Sequence, residues 1–111
     1  MKKLFVNSDN LVGTAYWAFV PGDWDRKNVR CKYGIFIHDD DMFSSDFIDV
    51  VLDVIPHCDP LGVTKISKEQ WINIFEKAVI KGDITAQLVQ EAEPWITKNF
   101  QQHDAFYILG V

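Results

Sequence analysis

The stretch "VRCKYGIFIHDDDMFSSDFIDVVLDVIP", residues 29–56, contains a change of period on which the fold reading turns. Up to His38 the apolar residues alternate. Val29, Cys31, Tyr33, Ile35 and Ile37 share one side; Arg30, Lys32, Gly34, Phe36 and His38 share the other. Side chains of a strand point to alternate faces, so residues 29–38 are predicted as a half-buried strand. Beyond Ser44 and Ser45 the spacing turns helical. With either serine as N-cap, Phe47, Ile48, Val51 and Ile55 cluster on one side at about 100° per residue. Asp46, Asp49 and Asp53 fall on the opposite side, and Pro56 stops the helix.

Upstream, "LVGTAYWAFV" (11–20) is rich in β-branched and aromatic residues and short enough for a strand. Both of its alternating sets are mostly apolar, which predicts a central place in a sheet. "PGDWDRKN" (21–28) has the composition of a loop, so 11–20 and 29–38 are expected to pair as an antiparallel hairpin. Downstream, "HCDPLG" reads as a loop and Val63–Ile66 as a short extended piece. "SKEQ" (67–70) is a capping box, with Ser67 as N-cap and Gln70 three residues on. Trp71, Ile74, Phe75, Ala78 and Val79 then keep the helical period over about 67–80. Gly82 closes that helix, and Asp83 is expected to cap the next, near 84–100. Its stripe of Leu88, Val89, Ala92, Trp95, Ile96 and Phe100 passes through Pro94, which should kink or divide it. "AFYILGV" reads as a final strand. The expected fold is α+β: an antiparallel or mixed sheet of about four strands packed with three helices, in a single compact domain over residues 1–111.

Composition narrows the function classes. An apolar fraction of 48% with fifteen aromatics supports a packed core rather than disorder. No run of 18 or more apolar residues offers a membrane span. Lys2 and Lys3 precede no apolar segment of secretory length, because Asn7–Asn10 intervenes, and a cytoplasmic location is expected. Two cysteines, Cys31 and Cys58, lack metal-ligand spacing and are too few for a disulfide framework; they read as reduced thiols, with one disulfide as the alternative. Net charge −5 disfavours nucleic acid as a direct partner, since duplex binding rests on Lys and Arg neutralising phosphates. It suits a partner that is itself basic.

The acid is concentrated. Seven aspartates, at 39, 40, 41, 46, 49, 53 and 59, lie in a span from Tyr33 to Thr64 that has no Lys or Arg in 32 positions. Asp is a poor helix former, and like charges three or four apart repel by a few tenths of a kcal/mol. A helix N-terminus welcomes Asp46, but Asp49 and Asp53 do not share that explanation in this reading. A solvated helix face accounts for any one aspartate alone; the block together reads as a docking surface for a cationic partner. Asp39, Asp40, Asp41, Asp46, Asp49 and Asp53 are the candidate contact residues. Trp24, flanked by Asp23 and Asp25, is the candidate anchor, against the plainer reading of a solvated hairpin end.

Other chemistries fit less well. His38 with Asp39–Asp41 supplies metal-ligating atoms, but consecutive residues of an extended chain point opposite ways and the EF-hand spacing is missing. His57, Cys58 and Asp59 are adjacent rather than spaced for zinc. No nucleophile elbow, phosphate loop or H-E-x-x-H motif occurs, and His38, His57 and His103 are scattered, so neither metal, cofactor nor catalysis is expected.

"ISKEQWINIFEKA" and "EPWITKNFQQHDAFYILGV", within residues 66–111, resemble the carboxy-terminal pattern of small bacterial immunity proteins, which guard a cell against polymorphic toxins, including those of contact-dependent growth inhibition systems. The shared features are spaced tryptophans and a terminal F-x-I-L-G-like strand. The resemblance implies a non-enzymatic inhibitor that binds a cognate toxin domain and covers the basic active site of a nuclease. The alternatives are an accessory or regulatory interaction domain of a larger assembly and, third, a small enzyme.

Overall fold

The computed structural model describes residues 3–13, 15–27, 31–58 and 62–110. Among these residues five strands form one sheet: β1 (Phe5–Val6), β2 (Tyr16–Val20), β3 (Ile35–His38), β4 (Val63–Ser67) and β5 (Ala105–Leu109). Their order is β1-β3-β2-β5-β4, and every pairing is antiparallel. Four α-helices accompany them: α1 (Asp39–Ser44), α2 (Phe47–Val54), α3 (Lys68–Lys81) and α4 (Asp83–Phe100), with a 3-10 turn at Ser8–Asn10. The α+β expectation holds, with one more strand and one more helix than expected.

β2 is the central strand, as its doubly apolar pattern required. Trp17 and Phe19 face the helices, with Phe5, Ile37, Ile66, Phe106 and Ile108. Ala18 and Val20 face the other way and join Phe36 and Leu109 in a second cluster, against which Leu11, Trp24, Cys31 and Tyr107 pack. Both faces of the sheet are therefore covered. Phe106 on β5 is fully buried, and its ring lies 5.6–5.9 Å from Phe19, Trp71, Trp95 and Phe100. The aromatic stripes of α3 and α4 are thus core, as the terminal strand needs something large to pack against.

The hairpin is shorter than its alternation. Residues 11–13 lie outside β2, and of the described residues 31–38 only Ile35–His38 is strand; 29 and 30 lie outside the described residues. Cys31–Gly34 instead forms a turn closed by the Gly34 N–H donating to the Cys31 carbonyl, 3.1 Å. A Cβ on Gly34 would meet the Phe19 carbonyl at 2.8 Å, so the chain can pass there only as glycine. Tyr33, expected on the buried side, is 71% exposed.

The helical pair α3–α4 follows its local signals closely. Ser67 Oγ accepts the Gln70 N–H (3.2 Å), while Gln70 Oε1 accepts the Ser67 N–H (2.8 Å), completing the capping box. Gly82 takes φ +73°, and its N–H donates to Val79. Two details differ. Asp83 is not a cap but the first residue of α4, at φ +50°, and Gly82 occupies the N-cap with no side-chain bond to offer. Pro94 does not divide the helix, which runs from Asp83 to Phe100 with the proline exposed inside it. Val79, assigned to the buried stripe, is 38% exposed. No described helix is long and apolar enough to cross a membrane.

Candidate functional site

The acidic segment is two short helices. His38 ends β3 in extended conformation and caps α1, its Nδ1 accepting the Asp40 N–H at 3.0 Å. That acceptor role leaves the proton of the neutral ring on Nε2, so the 3.7 Å approach of Nδ1 to the Asp40 carboxylate is proximity rather than a bond. Asp39, Asp40 and Asp41, expected on an extended chain, form the first turn of α1, where free N–H groups favour negative charge. Ser44 and Ser45, expected to open the helix, end the preceding one, and Ser45 also touches the start of α2: Ser45 Oγ donates to the Met42 carbonyl (2.7 Å) and accepts the Phe47 N–H (3.2 Å). Asp46 is the N-cap position of α2. Its backbone N–H donates to Thr85 Oγ1 on α4 at 2.8 Å, which ties the start of α2 to the core.

This register changes the electrostatic account. With α2 beginning at Phe47, Asp49 stands in its first turn and shares the N-terminal explanation after all. Asp53 alone sits in the last turn, where the helix end prefers a cation and no basic residue is present. Asp40, Asp46, Asp49 and Asp53 are exposed; Asp39 and Asp41 are half-buried. One oxygen of Asp39 is fully enclosed and has no hydrogen-bond partner among the described residues. Asp59 lies outside the described residues.

The anchors are redistributed too. Trp24 is half-buried, its ring 6.1 Å from Tyr107 in the second cluster, so part of its surface already serves the fold. Phe43, which the sequence reading passed over, is 62% exposed between Asp41 and Asp46, its ring edge-on to Trp17 at 5.9 Å. Under α2, a cavity of about 20 Å³ lined by Trp17, Met42, Val51 and Cys58 has room for no more than one water-sized group.

A second concavity lies at the far end of β2 and β3. This cleft, of about 410 Å³, is walled by Tyr33 and Trp95 and carries Asp23, Lys98, Gln102 and His103 at its rim. The Trp95 Nε1–H donates to the Tyr33 carbonyl at 2.8 Å, fixing one ring against the other's backbone. His103 Nε2 lies 3.6 Å from Asp23 Oδ1. Asn99 holds the base of the cleft: its Nδ2 donates to Ala105 (3.0 Å) and its Oδ1 accepts the Gly22 N–H (3.2 Å). Nothing in the sequence drew these residues together, because they come from a loop, a turn and the end of a helix.

Cys31 and Cys58 are free thiols. Among the described residues no group of three or more His, Cys, Asp or Glu is placed to hold a metal ion. Compared with protein-family models, with curated proteins and with solved structures, the chain matches none.

Proposed function

We propose that this chain is a non-catalytic binding protein whose α1–α2 surface covers a basic patch on a partner. In its finer form, the proposal is an immunity protein that neutralises a cognate toxin domain, a basic nuclease, in the cytoplasm of the producing cell. The observation that carries it is Asp53. Five of the six candidate aspartates sit at helix N-termini, which local folding explains; Asp53 opposes its own helix end, four residues after Asp49, without a basic neighbour in sequence. Charge kept against local stability is available for steering and holding a cation. Phe43 supplies the apolar contact such a surface needs for residence time, since binding energy concentrates in aromatic anchors ringed by polar groups. The mechanism is steric and electrostatic: aspartates pair with the Lys and Arg that otherwise hold substrate phosphates.

The accessory-domain reading has one feature of its own. Ile72, Val79 and Ile80 on α3 are 48%, 38% and 86% exposed, apolar surface that the core leaves uncovered.

Copurification with the product of the open reading frame immediately upstream tests the pairing. Association rates at low and moderate salt then test the surface. Asp49→Lys/Asp53→Lys should keep the fold, because the dipole terms at the two positions have opposite signs. It should slow association and flatten its salt dependence. Phe43→Ala should instead speed dissociation. Unchanged rates for the double variant at both salts would remove the α1–α2 face as the docking surface.

A further inference from the structure

The cleft between the β2–β3 connection and the end of α4 is separate from the acidic face and does not depend on the reading above. Its volume, about 410 Å³, is at the small end of small-molecule sites, which span roughly 300–1,000 Å³. Its walls are two aromatic side chains. Tyr33 is 71% exposed, with the Lys32 ammonium 5.9 Å from its ring, and Trp95 is half-buried and locked by its bond to the Tyr33 carbonyl. An exposed ring beside a fixed one is a platform for a flat apolar group.

The charges decide the rest. The rim carries one carboxylate, Asp23, and one ammonium, Lys98, both exposed, which make no ion pair with each other. Asp23 is 72% exposed at its side chain and meets His103 only at 3.6 Å, beyond hydrogen-bond reach. A ligand with one charge gains at one of these groups and loses at the other. A ligand carrying both signs gains at both. Gln102 adds an amide able to donate or accept.

We propose that this cleft binds a zwitterionic small molecule with an aromatic side group, of the size and class of a free aromatic α-amino acid. Its ammonium goes to Asp23, its carboxylate to Lys98, and its ring against Tyr33 and Trp95. The role assigned to the cleft is binding, with no reaction attached to it.

The test is an NMR titration of the intact protein, read at the Trp95 indole N–H and assigned with Trp95→Phe. L-phenylalanine is the probe; phenethylamine, which lacks the carboxylate, and 3-phenylpropionate, which lacks the ammonium, are its two halves. L-phenylalanine should give a saturable shift at millimolar concentration. Each half should bind about fivefold more weakly, the upper end of the scale for one exposed charge pair. Lys98→Met should erase the preference over phenethylamine only, and Asp23→Asn the preference over 3-phenylpropionate only. Both side chains are exposed, and circular dichroism checks that both variants stay folded. No saturable shift with L-phenylalanine, equal affinity for all three compounds, or preferences that survive both substitutions would each overturn the proposal.

Discussion

Replacing Asn99 by Ala should be among the most destabilising polar substitutions in this chain, and its cost follows from what the side chain holds. Asn99 is 7% exposed in the last turn of α4. Its Nδ2 donates to the Ala105 carbonyl, where β5 begins, and its Oδ1 accepts the N–H of Gly22, just past β2. Alanine leaves the Ala105 carbonyl buried without that donor, at a cost of about 1–3 kcal/mol. Gly22 is half-buried, so water can replace its lost partner and the loss is nearer 0.5–1.5 kcal/mol. Together the expected destabilisation is about 2–4 kcal/mol, or on the order of 10 °C in Tm for a chain of this size. Urea and thermal unfolding followed by circular dichroism measure it. Asn99→Asp sharpens the test. It keeps the acceptor for Gly22 but loses the donor and buries a charge, which raises the folded-state pKa above the unfolded value of about 3.9. Relative to wild type, its stability should be best below the unfolded pKa and fall as pH rises through the folded one. Protonated, the carboxyl can again donate to Ala105. An Asn99→Ala variant within 0.5 kcal/mol of wild type, or an Asn99→Asp variant with no such pH trend, would refute the clamp.

Gly22→Ala should fold poorly whatever the backbone angle, since its Cβ would meet the Ala105 carbonyl at 2.5 Å and His103 Cβ at 2.6 Å; a thermal melt matching wild type would contradict this. Ser67→Ala should cost about 1 kcal/mol by removing half of the capping box of α3, measurable by urea denaturation. Glu91→Ala should release β1 specifically. Both Glu91 oxygens accept the Leu4 N–H (2.9 and 3.1 Å) and Oε1 also takes that of Phe5 (3.3 Å), so hydrogen exchange at Val6 should accelerate by tenfold or more while β5 amides hold their protection.

What the sequence disclosed is what local rules govern. The capping box needs only Ser67 and Gln70, three positions apart on one chain, and it appears as expected. β2 announced its central place because both faces of Tyr16–Val20 are apolar, and both faces are indeed covered. β1 was invisible for the complementary reason: two residues, Phe5 and Val6, carry no period, and their pairing with Ile37 and Phe36 is fixed by Glu91, more than eighty residues away. The segment after His38 misled because Ser44-Ser45-Asp46 has the composition of a helix start while also ending another helix. A histidine as N-cap is not among the preferred cues, so the helical first turn at Asp39–Asp41 looked extended. The strand reading overran into Cys31–Gly34 because Cys31 and Tyr33 continue the alternation, whereas Gly34 turns the chain for a steric reason set by Phe19. The cleft could not be read at all. Asp23, Tyr33, Trp95 and His103 become neighbours only when the loop after β2 meets the end of α4.

The two candidate surfaces occupy opposite ends of the same pair of strands, and this bears on how each is to be judged. Tyr33 precedes β3 and Asp39 follows it; Tyr16 opens β2 beside His38, and Pro21 leaves it at the cleft. A four-residue strand at about 3.3 Å per residue therefore separates them by more than a screening length at physiological salt, roughly 8 Å. Charge changes on one surface leave the other electrostatically almost untouched. Local stability, too, divides them. Most of the aspartates are accounted for by the N-termini of α1 and α2 and would be present with or without a partner. Asp53 is opposed by its helix end, and removing its charge should not harm the fold. A residue whose charge folding disfavours and solvent leaves exposed is the position at which a binding role and a folding role come apart. Asp53 thus carries more of the functional argument than the three consecutive aspartates that first attract the eye.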